Sequence, residues 1–423
     1  MAKRFELKLN PILSGQNEYL KSQLFLPPDP VFDKYSREYL PCGLIRDYYN
    51  PEKDKKKIFA LDISQAFRML FVAKTRTGKS WFLRGINDRA RECGMAPVYI
   101  TDVKNEYGTS NRPVQSKFYD KLIKNEKPKQ AKMKTFRPTF FQFLEGDAQK
   151  LPDSQQWCSM DISKYTPRDL QTVLRFLGIT DLQMMGIERM LFEARQDRII
   201  IKDLDDLRQM IEQADYIENK SSILNKLYKI TYYNPFDVKY RMRPHIYVRE
   251  GYTLSLNLQY FDSLEKNNGF LQTVVTSWMR DLINARKRQE IPPLILNIDE
   301  TPRFCPANGD STARYEILES TDTDTAYDVS YIFASQDIVS IPERLVKQCR
   351  YIFCPWNVDY QVLKDAFKAA NLAAAEVKSQ QYNELRRITS RMEQWDWLAI
   401  DLNEKIYTPI TPLAPLTHAK ETE

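Results

Sequence analysis

Segments with the hydrophobic pattern of buried strands alternate along the chain with segments that have the pattern of helices. Strand character begins near Ile58, and residues 67–72 form an apolar stretch interrupted only by Arg68. A short polar loop then leads into a helical pattern that continues to about Cys93. Further strands are predicted at residues 97–100, 245–248, 253–258, 294–298, 330–335 and 351–354. Strands that alternate with helices predict an α/β fold with a mainly parallel central sheet.

A helical block interrupts this alternation between about residues 143 and 230. Thr166 and Pro167 are typical of a helix start, and Asp203 before an apolar period is a second start signal. We interpret the block as an inserted helical subdomain. The predicted divisions are an N-terminal arm or small β module (1–57), two parts of the core (58–142 and 231–407), the insertion (143–230) and a tail (408–423).

Composition narrows the class of protein. The chain has 423 residues, no apolar run as long as a membrane span and no signal-peptide pattern at its start. We therefore expect a cytoplasmic protein without membrane contact. Its six cysteines lie apart from one another and its two histidines are His245 and His418, which argues against a zinc site. We interpret the cysteines as reduced structural thiols.

Positive charge is concentrated in two segments. Residues 117–137 contain eight Lys or Arg and two acidic residues, an excess equal to the net charge of the whole chain, +6. A solvated surface loop and a contact site for nucleic-acid phosphates both explain such a segment. Residues 286–288, Arg-Lys-Arg, end a helical stripe that runs from Leu271 to Ile283. They suit the negative end of the helix dipole and are also a candidate DNA-facing rim.

Residues 73–80, Ala-Lys-Thr-Arg-Thr-Gly-Lys-Ser, match the phosphate-binding loop G-x-x-x-x-G-K-[ST] except at the first position. The loop follows a strand and opens a helix, so backbone N–H groups converge where phosphate oxygens bind. Lys79 would neutralise the β- and γ-phosphates of ATP, and Ser80 would place its hydroxyl on Mg²⁺. The predicted nucleotide-binding residues are Ala73, Lys74, Thr75, Arg76, Thr77, Gly78, Lys79, Ser80 and Trp81.

Two other strands end in polar residues that suit the same site. Residues 294–298 are followed by Asp299 and Glu300, the form of a Walker B motif. Asp299 would hold Mg²⁺, and Glu300 would orient the attacking water or accept its proton. The strand that ends at Ser335 is followed by Gln336, a candidate sensor of the γ-phosphate. Strands also end in such polar residues simply because a turn follows, so the assignment of Asp299, Glu300 and Gln336 depends on their combination with the loop.

The order of four segments resembles one known superfamily. Residues 74–80 look like its K-T-R-S-G-K-S loop, and residues 99–107 are similar to its strand ending in D-x-x-x-E-Y. Residues 299–304 resemble its D-E-A-H-x-F form of Walker B, and residues 334–337 its Ser-Gln segment. The superfamily is HerA/FtsK, hexameric DNA-pumping ATPases, and the soluble HerA branch is the most similar. The resemblance covers roughly residues 58–356.

The resemblance implies a RecA-like P-loop core, a homohexameric ring with ATP and Mg²⁺ at subunit interfaces, and translocation of double-stranded DNA. Members usually carry Gly-Arg-Lys before the Ser-Gln strand, and its Arg enters the neighbouring subunit's site. Residues 324–326 of this chain are Asp-Thr-Ala instead. The candidates for a displaced trans-acting arginine are Arg314, Arg303 and Arg344, of which we favour Arg314. A site without such an arginine would be slow or dependent on a partner.

The stretch before the loop is short for the superfamily's N-terminal barrel, which docks a nuclease. This favours a plasmid or viral relative, with a genome-packaging or conjugation role and a nuclease or capsid partner as alternatives. The leading hypothesis is an ATP-driven DNA translocase or helicase. The second is a nucleotide-gated scaffold that binds DNA or protein with little hydrolysis. A small-molecule kinase is disfavoured, because the chain is long and has no Arg-rich lid.

Overall fold

The structure is a computed structural model that covers most of the predicted core and insertion. It describes residues 4–8, 21–25, 38–46, 58–115, 117, 122–123, 126–139, 151, 155–162, 170, 174, 179–233, 236–259, 268–309, 311–359, 361–363, 365, 388–402 and 406–418. All statements about structure below refer to these residues.

Strands and helices alternate through this part of the chain. The strands are β1 (Arg4–Lys8), β2 (Lys21–Phe25), β3 (Tyr39–Ile45), β4 (Ile58–Asp62), β5 (Arg68–Val72), β6 (Ala96–Asp102), β7 (Met133–Pro138), β8 (Gln155–Cys158), β9 (Thr253–Asn257), β10 (Leu294–Ile298), β11 (Val329–Ser335), β12 (Tyr351–Pro355), β13 (Trp397–Asp401) and β14 (Ile406–Pro412). The helices are α1 (Lys79–Glu92), α2 (Asp181–Gln196), α3 (Leu204–Gln213), α4 (Lys220–Tyr233), α5 (Pro244–Arg249), α6 (Asn268–Lys287), α7 (Thr301–Phe304), α8 (Thr312–Thr323) and α9 (Glu343–Gln348).

The main sheet has 12 strands in the order β4-β3-β14-β13-β12-β5-β11-β10-β6-β9-β7-β8. Every pairing from β12 to β8 is parallel. All residues of β6, β10 and β11 are buried, as expected of parallel strands covered by helices on both faces. The predicted α/β class with a mainly parallel sheet is therefore confirmed. Because β5, β11, β10 and β6 are neighbours, their carboxyl ends meet at one edge.

The other part of the main sheet is antiparallel and includes β14, the last described strand, whereas β1 and β2 pair with each other in a separate antiparallel sheet. Strand β14 pairs with β13 and β3, and β3 pairs with β4. We expected little order after Thr408, but residues 406–412 are a strand of the main sheet. The pattern around Thr408 does not reveal this, because one of its partners, β3, is distant in sequence. Residues 39–45, placed in the predicted N-terminal arm or small β module, also belong to this sheet.

The segment after β14 packs along the helix that follows the phosphate-binding loop. A β-carbon on Gly85 of α1 would lie 2.9 Å from the carbonyl oxygen of Leu413, so a larger residue would displace the segment. The buried Asp88 carboxylate accepts hydrogen bonds from the Thr417 N–H (2.8 Å) and hydroxyl (2.9 Å). Burial raises the pKa of Asp88 despite the nearby Arg91. The C-terminal segment and the loop helix thus share one packed interface.

The inserted helices begin where local capping signals stand. Thr180 and Gln183 form a capping box at the start of α2. The Asp203 side chain accepts a hydrogen bond from the Asp206 N–H (2.9 Å), which confirms the predicted start of α3. The start predicted at Thr166 and Pro167 lies outside the described residues. Strand β8 falls inside the block predicted as helical, and the boundaries at residues 143 and 230 remain a prediction.

One predicted strand is wrong. Residues 245–248 lie in helix α5, which begins with Pro244 at its first position. Proline fixes φ near the helical value, and a short apolar run does not distinguish a strand from a helix by its period. The first turn is held by Asp281 of α6, whose carboxylate contacts both the backbone N–H (3.1 Å) and Nδ1 (2.7 Å) of His245.

Two findings bear on the expectations from composition. All six cysteines are buried and free of disulfides, and burial raises the pKa of Cys93 and Cys305 to about 12. Thiols with such pKa values remain protonated at neutral pH and are poor nucleophiles. Within the described residues, no helix combines the length and the apolar character needed to span a bilayer.

Removing the Arg89 side chain should destabilise the fold strongly. Arg89 is fully buried in α1, donates to both carboxylate oxygens of Glu126 (2.9 and 2.7 Å) and also bonds the Gly85 carbonyl. Arg89→Ala would leave the Glu126 carboxylate without its countercharge, lowering the free energy of unfolding by about 3–5 kcal/mol in urea titrations. Lys347→Ala removes an exposed pair with Glu343 (2.8 Å) and should change it by less than about 0.5 kcal/mol. Equal effects of the two variants would contradict the prediction.

Candidate nucleotide site

The phosphate-binding loop joins β5 to α1 at the carboxyl edge of the sheet. Its first N–H, that of Ala73, donates to the Ser335 carbonyl (2.8 Å), and the Thr77 hydroxyl donates to the Lys74 carbonyl (2.8 Å). Gly78 has φ +84°, a left-handed conformation that glycine adopts without strain. The contact between Thr77 and Lys74 thus closes the loop. Helix α1 begins directly after Gly78, so backbone N–H groups are presented at a helix N-terminus. That arrangement binds phosphate.

Lys79 forms a buried ion pair with the predicted Walker B aspartate. Its Nζ lies 2.6 Å from Oδ1 of Asp299, and the Lys79 side chain is 8% exposed. Burial alone would lower the pKa of Lys79, but the attraction of Asp299 and Glu300 outweighs it and leaves the pKa raised. Burial likewise opposes ionisation of Asp299, but Lys79 holds its pKa below the usual value. Both groups are therefore charged at neutral pH.

Two hydrogen-bond donors orient the Asp299 carboxylate. The Tyr107 hydroxyl donates to Oδ2 (3.3 Å), and the Glu300 N–H donates to Oδ1 (2.9 Å). The Thr101 hydroxyl donates to the Asp299 carbonyl (2.7 Å) and so ties the ends of β6 and β10 together. The Tyr107 ring stacks on Tyr99 with ring centroids 4.1 Å apart. Tyr107 belongs to the segment that resembles D-x-x-x-E-Y, but the sequence did not assign it a role.

Glu106, from the same segment, reaches the predicted metal ligand. The Ser80 hydroxyl donates to the Glu106 carboxylate. Ser80, Asp299 and Glu106 together supply a hydroxyl and two carboxylates, the hard oxygen donors that Mg²⁺ prefers. The residues present thus fit a magnesium ion. Glu106 was not predicted as a site residue, although the motif that contains it was recognised.

Glu300 follows Asp299 in a left-handed conformation, with φ +49°. Its side chain is buried and its Oε1 lies 3.1 Å from Nζ of Lys104. The next residue, Thr301, accepts a hydrogen bond from the Ala334 N–H (3.0 Å), which ties this turn to β11. The predicted water-orienting carboxylate is therefore at the sheet edge beside Asp299, and Lys104 is a partner that sequence reasoning missed.

The remaining predicted residues are less closely connected to the loop. Gln336 is exposed directly after β11, beside the strand that leads into the loop. The Arg314 Nε donates to the Pro306 carbonyl (2.9 Å) of its own chain, and Arg344 pairs with Asp322. The sensor role of Gln336 and the trans-acting role of an arginine, including Arg303, remain predictions.

Part of the basic segment 117–137 is engaged within the chain. Lys129 pairs with Glu92, and Lys132 lies 4.1 Å from the ring centroid of Tyr252. Arg137 is buried in β7 beside the Trp157 ring. Lys117 and Lys127 are exposed. The rim predicted at residues 286–288 also forms ion pairs within the chain, with Asp328, Asp324 and Glu290.

The fold and the loop together define a P-loop NTPase core, and a solved structure shares this fold. VirB4 of Thermoanaerobacter pseudethanolicus aligns with a TM-score of 0.57 and 14% identity, covering 90% of this chain and 98% of that one. The bacterial conjugative coupling protein TrwBdeltaN70 aligns with a TM-score of 0.46 and 12% identity over 84% and 87% of the two chains. The conclusion on fold rests on VirB4.

A viral protein is also similar over part of the chain. The genome packaging NTPase B204 from Sulfolobus turreted icosahedral virus 2, in complex with ATP-gammaS, aligns with a TM-score of 0.26 and 15% identity. The alignment covers 40% of this chain and 72% of B204. Neither a protein-family model nor a curated protein sequence matches the chain significantly.

The titration of Asp102, the last residue of β6, should affect the pH dependence of stability. Burial raises its pKa from 3.8 to about 6, although the Ser255 hydroxyl and the N–H groups of Glu106 and Tyr107 stabilise its charge. The folded state therefore retains this proton over a range in which the unfolded chain releases it. The contribution of Asp102 to stability should therefore fall as pH rises from about 4 to about 6, by up to about 3 kcal/mol.

Asp102→Asn removes this titration while retaining a hydrogen-bond acceptor. Urea unfolding at about pH 4 and about pH 7 should show that the stability of the variant rises relative to wild type at the higher pH. A difference between the two proteins that stays constant with pH would contradict the assignment.

Proposed function

We propose that this chain is an ATP-hydrolysing DNA translocase of the HerA/FtsK type that acts as a homohexameric ring on double-stranded DNA. The observation that carries the proposal is the buried contact between Lys79 Nζ and Asp299 Oδ1, with Glu300 adjacent. It brings together the loop that binds phosphate, the acid that holds the metal and the acid that activates water. The proposal also rests on the order of the motifs and on the fold shared with VirB4.

Each residue has a chemical role in this proposal. The N–H groups of residues 73–81 and the Lys79 ammonium bind the phosphates of ATP. Ser80 and Asp299 would hold Mg²⁺, with Glu106 as an additional carboxylate, and the ion would supply positive charge that offsets the charge of the phosphates. The attraction of Lys79 lowers the pKa of Asp299 and keeps the carboxylate ionised. Once Lys79 turns to the phosphates, the cation would replace it as the countercharge of Asp299.

Glu300 orients the attacking water and accepts its proton in the proposed reaction. Its carboxylate is paired with Lys104 at 3.1 Å, and this pair must open or shift for Glu300 to reach water. Gln336 senses the γ-phosphate from the end of β11. Arg314 is the proposed arginine that acts on the neighbouring subunit's site, after its guanidinium leaves the Pro306 carbonyl.

A second candidate function is a nucleotide-gated scaffold that binds DNA or protein and hydrolyses ATP slowly. One observation favours it. Asp324, where members of the superfamily usually carry the trans-acting arginine motif, is 1% exposed and pairs with Lys287 of α6 at 2.9 Å. This position has therefore become part of the chain's own packing. A genome-packaging or conjugation-type ATPase, with a capsid or nuclease partner, is the corresponding alternative for the biological role.

Two substitutions separate binding from hydrolysis. Glu300→Gln keeps the size of the side chain and removes the base, so the hydrolysis rate should fall about 10²–10⁴-fold while ATP binding persists. Lys79→Ala removes the phosphate contact and should abolish both. Phosphate release and calorimetric titration with Mg²⁺-ATP measure the two properties. Normal hydrolysis by Glu300→Gln would disprove the role of Glu300, and slow hydrolysis by wild type even with DNA would favour the scaffold.

Duplex DNA should stimulate hydrolysis, and DNA binding should weaken as salt rises. The double variant Lys117→Glu/Lys127→Glu should bind DNA more weakly and reduce the slope of log affinity against log salt by about two. Lys239→Glu, an exposed charge change near the inserted helices, is the control and should retain the wild-type slope. A rate that is independent of DNA, or a protein that stays monomeric with ATP and DNA in sedimentation velocity, would contradict the translocase.

A further inference from the structure

Trp395 lies against the phosphate-binding loop, although it is distant from the loop in sequence. A β-carbon on Gly78 would lie 3.2 Å from Cε3 and 3.4 Å from Cζ3 of its indole ring. The ring therefore contacts the loop at the glycine before Lys79. Nothing in the local sequence around Trp395 predicts this contact, since it is created by the return of the chain through β13.

The backbone of Trp395 is strained and its side chain is partly exposed. Its φ is +77°, in the left-handed region that bulky residues rarely adopt, and 47% of the residue is exposed. A large aromatic side chain that is only half covered does not repay such strain through core packing. Residues held in this way cluster at ligand-binding and catalytic sites.

The turn that presents Trp395 is anchored on both sides of the ring. The Asp396 carboxylate, 2% exposed, accepts hydrogen bonds from the Thr411 hydroxyl and the Glu393 N–H (3.2 Å). The Trp356 N–H donates to the Asp396 carbonyl (2.8 Å). These contacts fix the turn to β12 and β14. The position of Trp395 is thus determined by the fold rather than by a free loop.

Trp397, two residues further on, fixes the turn relative to the loop itself. Its ring packs at 5.8 Å from Phe71 of β5 and at 5.3 Å from Phe82 of α1, measured between ring centroids. Those two elements flank the phosphate-binding loop. In this short segment, Trp397 therefore packs against the elements on both sides of the loop, and Trp395 contacts the loop itself.

We propose that Trp395 is the base-stacking residue of the nucleotide site, and this rests on the proposed function. An indole ring carries no charge for phosphate, but its face suits a purine, which is an extended apolar ring. The phosphates of a nucleotide bound at Gly78 and Lys79 tether the base within the length of a ribose from the loop. Trp395 lies against the same loop and is 47% exposed, so its indole ring presents an aromatic surface on which that base stacks.

The test compares ADP with pyrophosphate, because the two share the diphosphate and differ in the adenosine, which carries the base. Calorimetric titration in Mg²⁺ on the full chain should show that Trp395→Leu and Trp395→Ala bind ADP about tenfold more weakly than wild type. Trp395→Phe keeps an aromatic face and should remain within about threefold of wild type. Pyrophosphate affinity should be the same in all four proteins. Tyr228→Leu, an aromatic 68% exposed on α4, is the control and should bind both ligands normally.

The outcomes separate this inference from the proposed function. Equal ADP affinity for Trp395→Leu, Trp395→Phe and wild type would disprove stacking. A parallel loss of ADP and pyrophosphate affinity would show that the ring supports the loop and not the base, and would also overturn the proposal. If wild type binds ADP and Lys79→Ala loses both ligands, the nucleotide site is supported, independently of the results for the Trp395 variants. Failure of wild type to bind either ligand would contradict both.

Discussion

The buried ion pair between Lys79 and Asp299 is the constraint on which the rest of the site depends. Two charges removed from water are tolerated only when they are paired and hydrogen-bonded. Here the Glu300 N–H and the Tyr107 hydroxyl complete the shell of Asp299. The pair joins the loop after β5 to the end of β10, which are separated in the sheet by β11. The parallel strands must therefore align their carboxyl ends for the pair to form.

Two ion pairs and one hydrogen bond connect the charged and polar side chains of the site. Lys79 pairs with Asp299, Lys104 with Glu300, and the Ser80 hydroxyl donates to Glu106. In the proposed catalytic state Lys79 would contact phosphate, Asp299 and Ser80 would contact Mg²⁺, and Glu300 would contact water. Lys79 and Asp299 would thus exchange one partner of opposite charge for another, so neither would become an unpaired buried charge.

Sequence reasoning succeeded where the determinants are local. Three short-range patterns are the glycine before Lys79, the apolar strand before the loop and the acids after β10. They predicted the residues that form the buried pair, and the alternation of strands and helices predicted the α/β class. It failed at residues 245–248, where a short apolar run fits two periods and Asp281 stabilises the helical one. It also missed the order after Thr408, because the pairing of β14 with β3 joins residues distant in the sequence.

Local patterns of residues are enough to predict a phosphate-binding loop and a pair of acids at the ends of buried strands. Which side chains complete the site depends on the tertiary fold. Lys104, Glu106, Tyr107 and Trp395 reach it because the sheet places β10 beside β6, and because the chain returns through β13 to cover the loop. Motifs record covalent neighbours, whereas these contacts arise from strand order and long-range packing, which no local pattern encodes.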